Sequence, residues 1–324
     1  MLTSYIETLL NYAEDAKESL LSCECFYKDE NLEVTDPLQT PNGNPGLKKR
    51  FDLTSKSKIL DMIGPLHCDI FQQNRLLLNM VDLKIKLTRS KTSFCLMVNP
   101  PKDNTQTSPE YKVRLEQASL FIRKVKVSPG VLLGHAKALE KNSAKYPIDR
   151  VICKTYSVSK ESLSFMQDNV FLGPMPKRIV IGLIENAALN GNYALNPFLF
   201  HHHNVNFLSV YIDGQPVPSK PLELDFENKN YIRAYHRLFS SFNRDTGIYL
   251  LQEDFANGHA LYAFDLSPDL CDGPHLNLQH QGNLRIEIKF IKPLKSTISV
   301  FIYAEFENII EITKSRHVLC DFPN

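Results

Sequence analysis

The residues best suited to chemistry in this 324-residue chain are three consecutive histidines, His201, His202 and His203. Neutral imidazole is a common transition-metal ligand. Consecutive residues of an extended segment face opposite sides, however, so at most two of the three could share one ion. No Cys, Asp or Glu at metal-ligand spacing accompanies them. His67-Cys68-Asp69 sets a thiol beside an imidazole and a carboxylate, the parts of a nucleophile and its base. Adjacent strand residues point apart and no oxyanion element is visible, so Cys68 reads as a buried structural thiol. Glu253-Asp254 is an acidic pair that could serve as acid and base; placed in a loop without a partner, it reads as solvated. Lys48-Lys49-Arg50 sits in a polar loop and reads as a solvated cluster rather than a nucleic-acid or targeting signal. No Gly-rich phosphate loop, serine elbow or helical His-Glu motif occurs. On these grounds no catalytic, cofactor-binding or metal-ligating residue is assigned, and neither a cofactor nor an enzyme activity is implied.

The composition narrows the class. Lys and Arg number 37 against 36 Asp and Glu, a formal charge of +1, which argues against a strongly electrostatic nucleic-acid binder. An apolar fraction of 43% fits a globular chain with roughly two domains' worth of residues. Seven cysteines (Cys23, Cys25, Cys68, Cys95, Cys153, Cys271 and Cys320) are scattered with neither zinc-finger spacing nor a disulfide framework, which suits a reduced, intracellular setting. No apolar run approaches membrane-spanning length, and the N-terminus has no signal-peptide pattern.

The elements that must position these residues read mainly as strands. Leu284, Ile286, Ile288 and Phe290 alternate with Arg285, Glu287 and Lys289, then Ile298, Val300, Ile302, Ala304 and Phe306 run back, so residues Gly282 to Phe306 read as a β-hairpin with one apolar face. Asn79 to Val98 carries the same design through Leu83, Ile85 and Leu87. Strands are also expected from Ile59 to Val98, at Arg150 to Val158, Arg178 to Glu185, Asn204 to Ile212, His259 to Asp265 and His275 to His280. Tyr111 to Val127 shifts phase midway and reads as a bulged strand or one buried on both faces. Helices are expected behind a Ser4-x-x-Glu7 capping box, from Ser128 with Pro129 at its first position to about Asn142, and around Tyr231 to Leu238. Residues 30 to 57, Asn99 to Pro109 and Asn186 to Asn196 read as loops, and Asp213-Gly214 as a turn.

An internal repeat orders these elements. The helix start at Tyr5-Ile6-Glu7 answers Tyr231-Ile232-Arg233, and Asp61 to His67 answers Asp269 to His275, each upstream of its hairpin. The division this suggests is residues 1–127 as the later part of a first β-domain, 128–145 as a linking helix and 146–324 as a second β-domain.

Several long segments then resemble one family, the major capsid proteins of Polinton (Maverick) elements and adintoviruses. They include SYIETLLNYAEDAKESLLS, LLLNMVDLKIKLTRSKTSFCLMV, FIRKVKVSPGVLLGHAKALEKNSAKYPIDRVICKTYSV, PKRIVIGLIENAALNGNYALNPF, FLSVYIDGQPVPSKPL and HALYAFDLSPDLCDG. The resemblance implies a mainly β chain with short helices, a double jelly-roll of two β-sandwiches side by side. It implies a homotrimeric capsomer, a capsid lattice with companions such as a penton protein, and location in a virion after synthesis in a host cytoplasm, with assembly in the nucleus as one route. No membrane span and no sequence-specific nucleic-acid contact belong to that picture. Family members carry about half a jelly roll before the helix at Tyr5, so the first sandwich is expected to be incomplete here. The loops Asn99 to Pro109, Asn186 to Asn196 and Gln215 to Glu227 are then expected to shape trimer contacts or the outer surface.

Overall fold

In a computed structural model, residues 2–98, 111–242, 248–268, 270, 277–278 and 280–320 are described. The chain opens with helices α1 (Leu2–Asn11) and α2 (Glu14–Glu18), then α3 (Pro45–Thr54), the short α4 (Thr92–Cys95) and α5 (Pro129–Lys141). Strands β1 (Ala144–Val158), β2 (Ser164–Pro174) and β3 (Arg178–Glu185) follow, with α6 (Asn186–Gly191) after them. Next come β4 (Val205–Ile212), β5 (Gln215–Pro216), β6 (Leu222–Glu223), α7 (Ile232–Ser240) and α8 (Gln252–Ala256). The chain closes through β7 (Leu261–Asp265), β8 (Gln281–Phe290), β9 (Ile298–Ile312) and β10 (Val318–Cys320).

Two antiparallel sheets share these strands. One runs β1-β9-β3-β7 with β10 also on β9; the other runs β2-β8-β4-β5 with β6 also on β4. Successive long strands thus alternate between sheets, the interleaved winding of a jelly roll. The chain is therefore mainly β, and the sandwich from Ala144 onward supplies its core. The even-numbered residues of β9 from Ile298 to Phe306 and those of β8 from Leu284 to Phe290 are all buried. They meet across the gap as facing sheets do, and the Phe171 and Phe306 rings stand edge to face 5.2 Å apart.

That winding corrects the reading of Gly282 to Phe306. The alternation is real, but β8 and β9 do not pair: β8 lies between β2 and β4, and β9 between β1 and β3. A corner through Pro293 and Lys295 carries the chain from one sheet to the other. Two apolar faces that look at each other across a core have the same period as two side by side in one sheet, so alternation alone does not choose. The strand β2 had no counterpart in the expectations. Its register slips between Gln167 and Phe171 on β8, which breaks the period-two signal.

The earlier copy differs more. Residues before Ala144 form no strand among those described, so neither the Asn79 to Val98 hairpin, the strands from Ile59, nor the Tyr111 to Val127 strand is present. Many of their apolar side chains lie exposed, with Leu83 at 49%, Leu87 at 78% and Phe121 at 82%. An alternating segment becomes a strand only when an edge pairs with it, and none does so here. The repeat of Asp61 to His67 falls on residues 269 and 271–276, outside the described residues, as do Asn99 to Pro109 and half of His275 to His280. Ser4 lies inside α1 rather than at its cap. The loop expected at residues 30 to 57 contains α3, whose Asn44 side chain accepts from the Leu47 amide beside Pro45, a start signal the Gly and Pro count concealed. The loop at Asn186 likewise contains α6. The helices at Pro129 and Ile232 form as expected.

Candidate assembly surface

The residues singled out for chemistry do not converge. His201, His202 and His203 follow α6 at the entry to β4, and the last two backbone steps turn sharply, with φ of 44° at His203 and 52° at Asn204. His201 Nδ1 accepts from the His203 amide at 2.9 Å and His202 Nδ1 from the Asn204 amide at 3.0 Å. The His201 and His202 rings stack with centroids 4.6 Å apart, and His202 stacks on Phe226 at 4.0 Å. Burial pushes His202 down to about 4 and His203 to about 3, with the neighbouring imidazoles adding to both shifts. Burial also lowers His201. His201 and His202 thus stack with Phe226 while His203 is tilted against His201, and no group of three metal-binding side chains occurs among the described residues.

His67, Cys68 and Asp69 part company. His67 Nε2 lies 3.4 Å from Glu24 and its Nδ1 3.8 Å from Glu7. Asp69 accepts from the Asp149 amide at 3.0 Å, and Cys68 is an exposed free thiol rather than a buried one. Glu253 and Asp254 sit in α8 rather than a loop; Asp254 pairs with Lys28 at 2.9 Å and caps the helix through the Leu251 amide. In the basic triplet, Arg50 pairs with Asp29 and donates to the Tyr27 carbonyl at 3.2 Å, tying α3 to its own segment.

What the structure does bring together is a polar seam between α1 and the outer face of the β1-β9-β3-β7 sheet. Odd-numbered β9 residues look outward, away from the sandwich, and Tyr303 among them meets Glu7 of α1. Arg178 and Glu305, directly opposite in register, form a buried pair at 2.8 Å, and the Arg178 guanidinium lies 4.3 Å from the Phe242 ring centroid. Tyr303 donates to Glu305 at 2.8 Å and sits 3.4 Å from Glu7. Burial first, then the Glu305 charge, push Glu7 up to about 7. Tyr5 of α1 stacks near Phe198 at 4.4 Å, and Phe200 lies so close over Gly182 that a Cβ there would meet the ring at 2.5 Å. Glu305, a charged residue inside a strand, is buried against Arg178 rather than facing solvent. The pairing of Arg178 with Glu305 is the signal that would have shown it.

A pocket of about 380 Å³ opens where this N-terminal arm meets the sandwich, lined by Leu32, Glu33, Glu185, Leu199, His201, His203 and Lys295 among others. The larger feature is the surface presented by residues 59–98 and 111–133. Ile59 is 87% exposed, Met80 83% and Leu115 71%; Leu120, Ile122, Val125 and Leu133 are exposed as well. Monomeric proteins seldom present so many large apolar side chains along one segment. The charge is also segregated. Residues 75–141 hold 13 Lys and Arg against 5 Asp and Glu, a net +8 in a chain of +1, which leaves the rest at −7. No described helix is long and apolar enough to cross a membrane. The six described cysteines are free thiols.

No family model matches the sequence. A Caenorhabditis elegans protein, uncharacterized protein F54H12.2, is 22% identical over 330 residues, covering 98% of this chain and 74% of that one. Among solved structures, the Sputnik virophage gives a TM-score of 0.39 at 12% identity and the PBCV-1 virus capsid 0.36 at 11%. The mavirus major capsid protein gives 0.34 at 10%. Each of these covers 56% of this chain, and the match spans 39%, 52% and 42% of those chains respectively.

Proposed function

We propose that this chain is a capsid-type building block of the double jelly-roll class whose task is to associate with copies of itself. The observation that carries the reading is the exposed apolar surface of residues 59–98 and 111–133, attached to a jelly roll whose own core is closed. Side chains such as Leu83, Leu87, Leu115 and Phe121 gain by leaving water at about 25 cal/mol per Å², and the chain's own fold offers them no cover. On this reading residues 1–127 are the later part of a first jelly roll, α5 links it to the sandwich, and copies meet as homotrimers in a lattice with companion capsid proteins. The resemblance to capsid proteins of Polinton elements and adintoviruses supports that finer assignment, with a virion as the destination.

Analytical ultracentrifugation of the purified chain over a range of concentrations tests the reading. Mass should rise with concentration toward a trimer, and the combined variant Leu83→Ser, Leu87→Ser and Phe121→Ser should shift the midpoint at least tenfold upward. These positions are exposed, so the variant should melt as the parent does. A parent chain that stays monomeric throughout would sink the proposal. A second reading, a jelly-roll binding protein, is favoured by the 380 Å³ pocket, whose size lies in the range that holds small ligands. A fragment screen by ligand-observed NMR, with displacement on His201→Ala, separates it from self-association.

A further inference from the structure

The charge of residues 75–141 has a use that apolar association does not explain. We propose that its basic face binds the phosphate backbone of a nucleic acid without reading the base sequence. Lys84, Lys86, Lys124 and Lys126 are all exposed, and among the described residues none of the four has a carboxylate within ion-pair distance. The salt bridge found in this stretch joins Arg114 to Glu116, and Glu140 pairs with Lys314 beyond it.

The spacing favours an extended polyanion over a compact acidic protein face. In non-helical backbone, a two-residue step spans at most about 7 Å. Phosphates on one strand of a duplex advance about 3.4 Å each along the axis while winding around it, so Lys84 with Lys86, and Lys124 with Lys126, can each address neighbouring phosphates. Lys and Arg stems can also cover the apolar neighbours between them while their charged ends reach outward. The remainder of the chain, at −7, repels a polyanion, so the field itself steers an approaching nucleic acid toward these basic residues. The net charge of +1 conceals this because the two regions nearly cancel. The binding rests on charge alone and does not need the copies to associate.

Fluorescence anisotropy with a labelled random-sequence DNA duplex and the full chain tests the proposal. Four phosphate contacts give log K against log salt a slope of about −3.6, so affinity should fall roughly 100-fold between about 50 and 200 mM salt. A second duplex of unrelated sequence should bind equally well. The combined variant Lys84→Gln, Lys86→Gln, Lys124→Gln and Lys126→Gln should remove most of the slope while leaving the melting curve and the sedimentation midpoint unchanged. Absence of binding at low salt, or a slope untouched by the variant, overturns the proposal. So does a variant that loses self-association instead, since the basic face would then be docking an acidic protein surface.

Discussion

At the scale of single residues, the seam under α1 is set by one hydroxyl and two carboxylates. Tyr303 has one hydrogen to give, and the 2.8 Å contact to Glu305 takes it; the 3.4 Å contact to Glu7 is completed when Glu7 carries a proton. Glu7 is pushed up to about 7 from 4.5, so its contribution is fully present below pH 4.5 and is lost as pH rises through 7. Glu7→Gln, which keeps the shape and removes the titration, should stabilise the chain above pH 7 by about 1–2 kcal/mol after solvent screening, and change little below pH 4.5. Thermal melts at both ends check this, and an equal effect at both would refute it. The histidine stack works with the opposite sign. Its folded-state pKa values are depressed, to about 4 at His202 and about 3 at His203, so stability is present above pH 6.5 and falls as acid is added. His202→Phe preserves the stack on Phe226 and should flatten that acid limb of the melting profile. Adding zinc to the parent chain should leave its melting temperature where it was, because the stacked rings already spend two Nδ1 atoms on backbone amides.

At the scale of elements, β9 shows what the sequence could and could not reveal. Its period-two pattern was plain, and so was that of β8. Their partners were not, because an apolar face records that it is buried and not what buries it. Tyr303 on the other side meets Glu7 of α1, some three hundred residues earlier, and no local pattern encodes such a contact. Helices signalled by a proline at their first turn, as at Pro129, were legible; α3 was hidden by surrounding glycines and prolines. The segments at Asn79 and Tyr111 were legible as strand material and yet form no strand, since a strand needs a partner edge and none of the described strands pairs with them. Two substitutions separate the faces of the sheet. Ile302→Ala removes a fully buried side chain from the sandwich interior and should cost about 2–5 kcal/mol in urea unfolding. Gly182→Ala drives a methyl into the Phe200 ring on the outer face and should cost about 1–3 kcal/mol. If Gly182→Ala proved neutral, the Phe200 ring would not lie against the sheet as described.

At the scale of the whole molecule, a closed jelly roll carries a segment whose apolar and basic side chains face outward. The two parts should differ in how they resist local opening, because backbone outside ladders and away from a core opens at little free-energy cost. Trypsin under native conditions should therefore cut first after Arg123, Lys124 and Lys126, all exposed and outside any helix or strand. Lys154 and Arg178 are lysine and arginine sites too, yet they lie within β1 and β3 and should survive far longer. The same digestion also reports on assembly. If copies cover one another through residues 59–98 and 111–133, cleavage after Arg123 should slow as the protein concentration is raised past the sedimentation midpoint, while cleavage of an unrelated denatured substrate in the same tube does not. Adding the DNA duplex at low salt should slow cleavage after Lys124 and Lys126 even at concentrations where the chain is monomeric, because the bound phosphates would sit on the very side chains trypsin must recognise. Protection by concentration alone would leave self-association standing and remove the nucleic-acid proposal; protection by duplex alone would do the reverse.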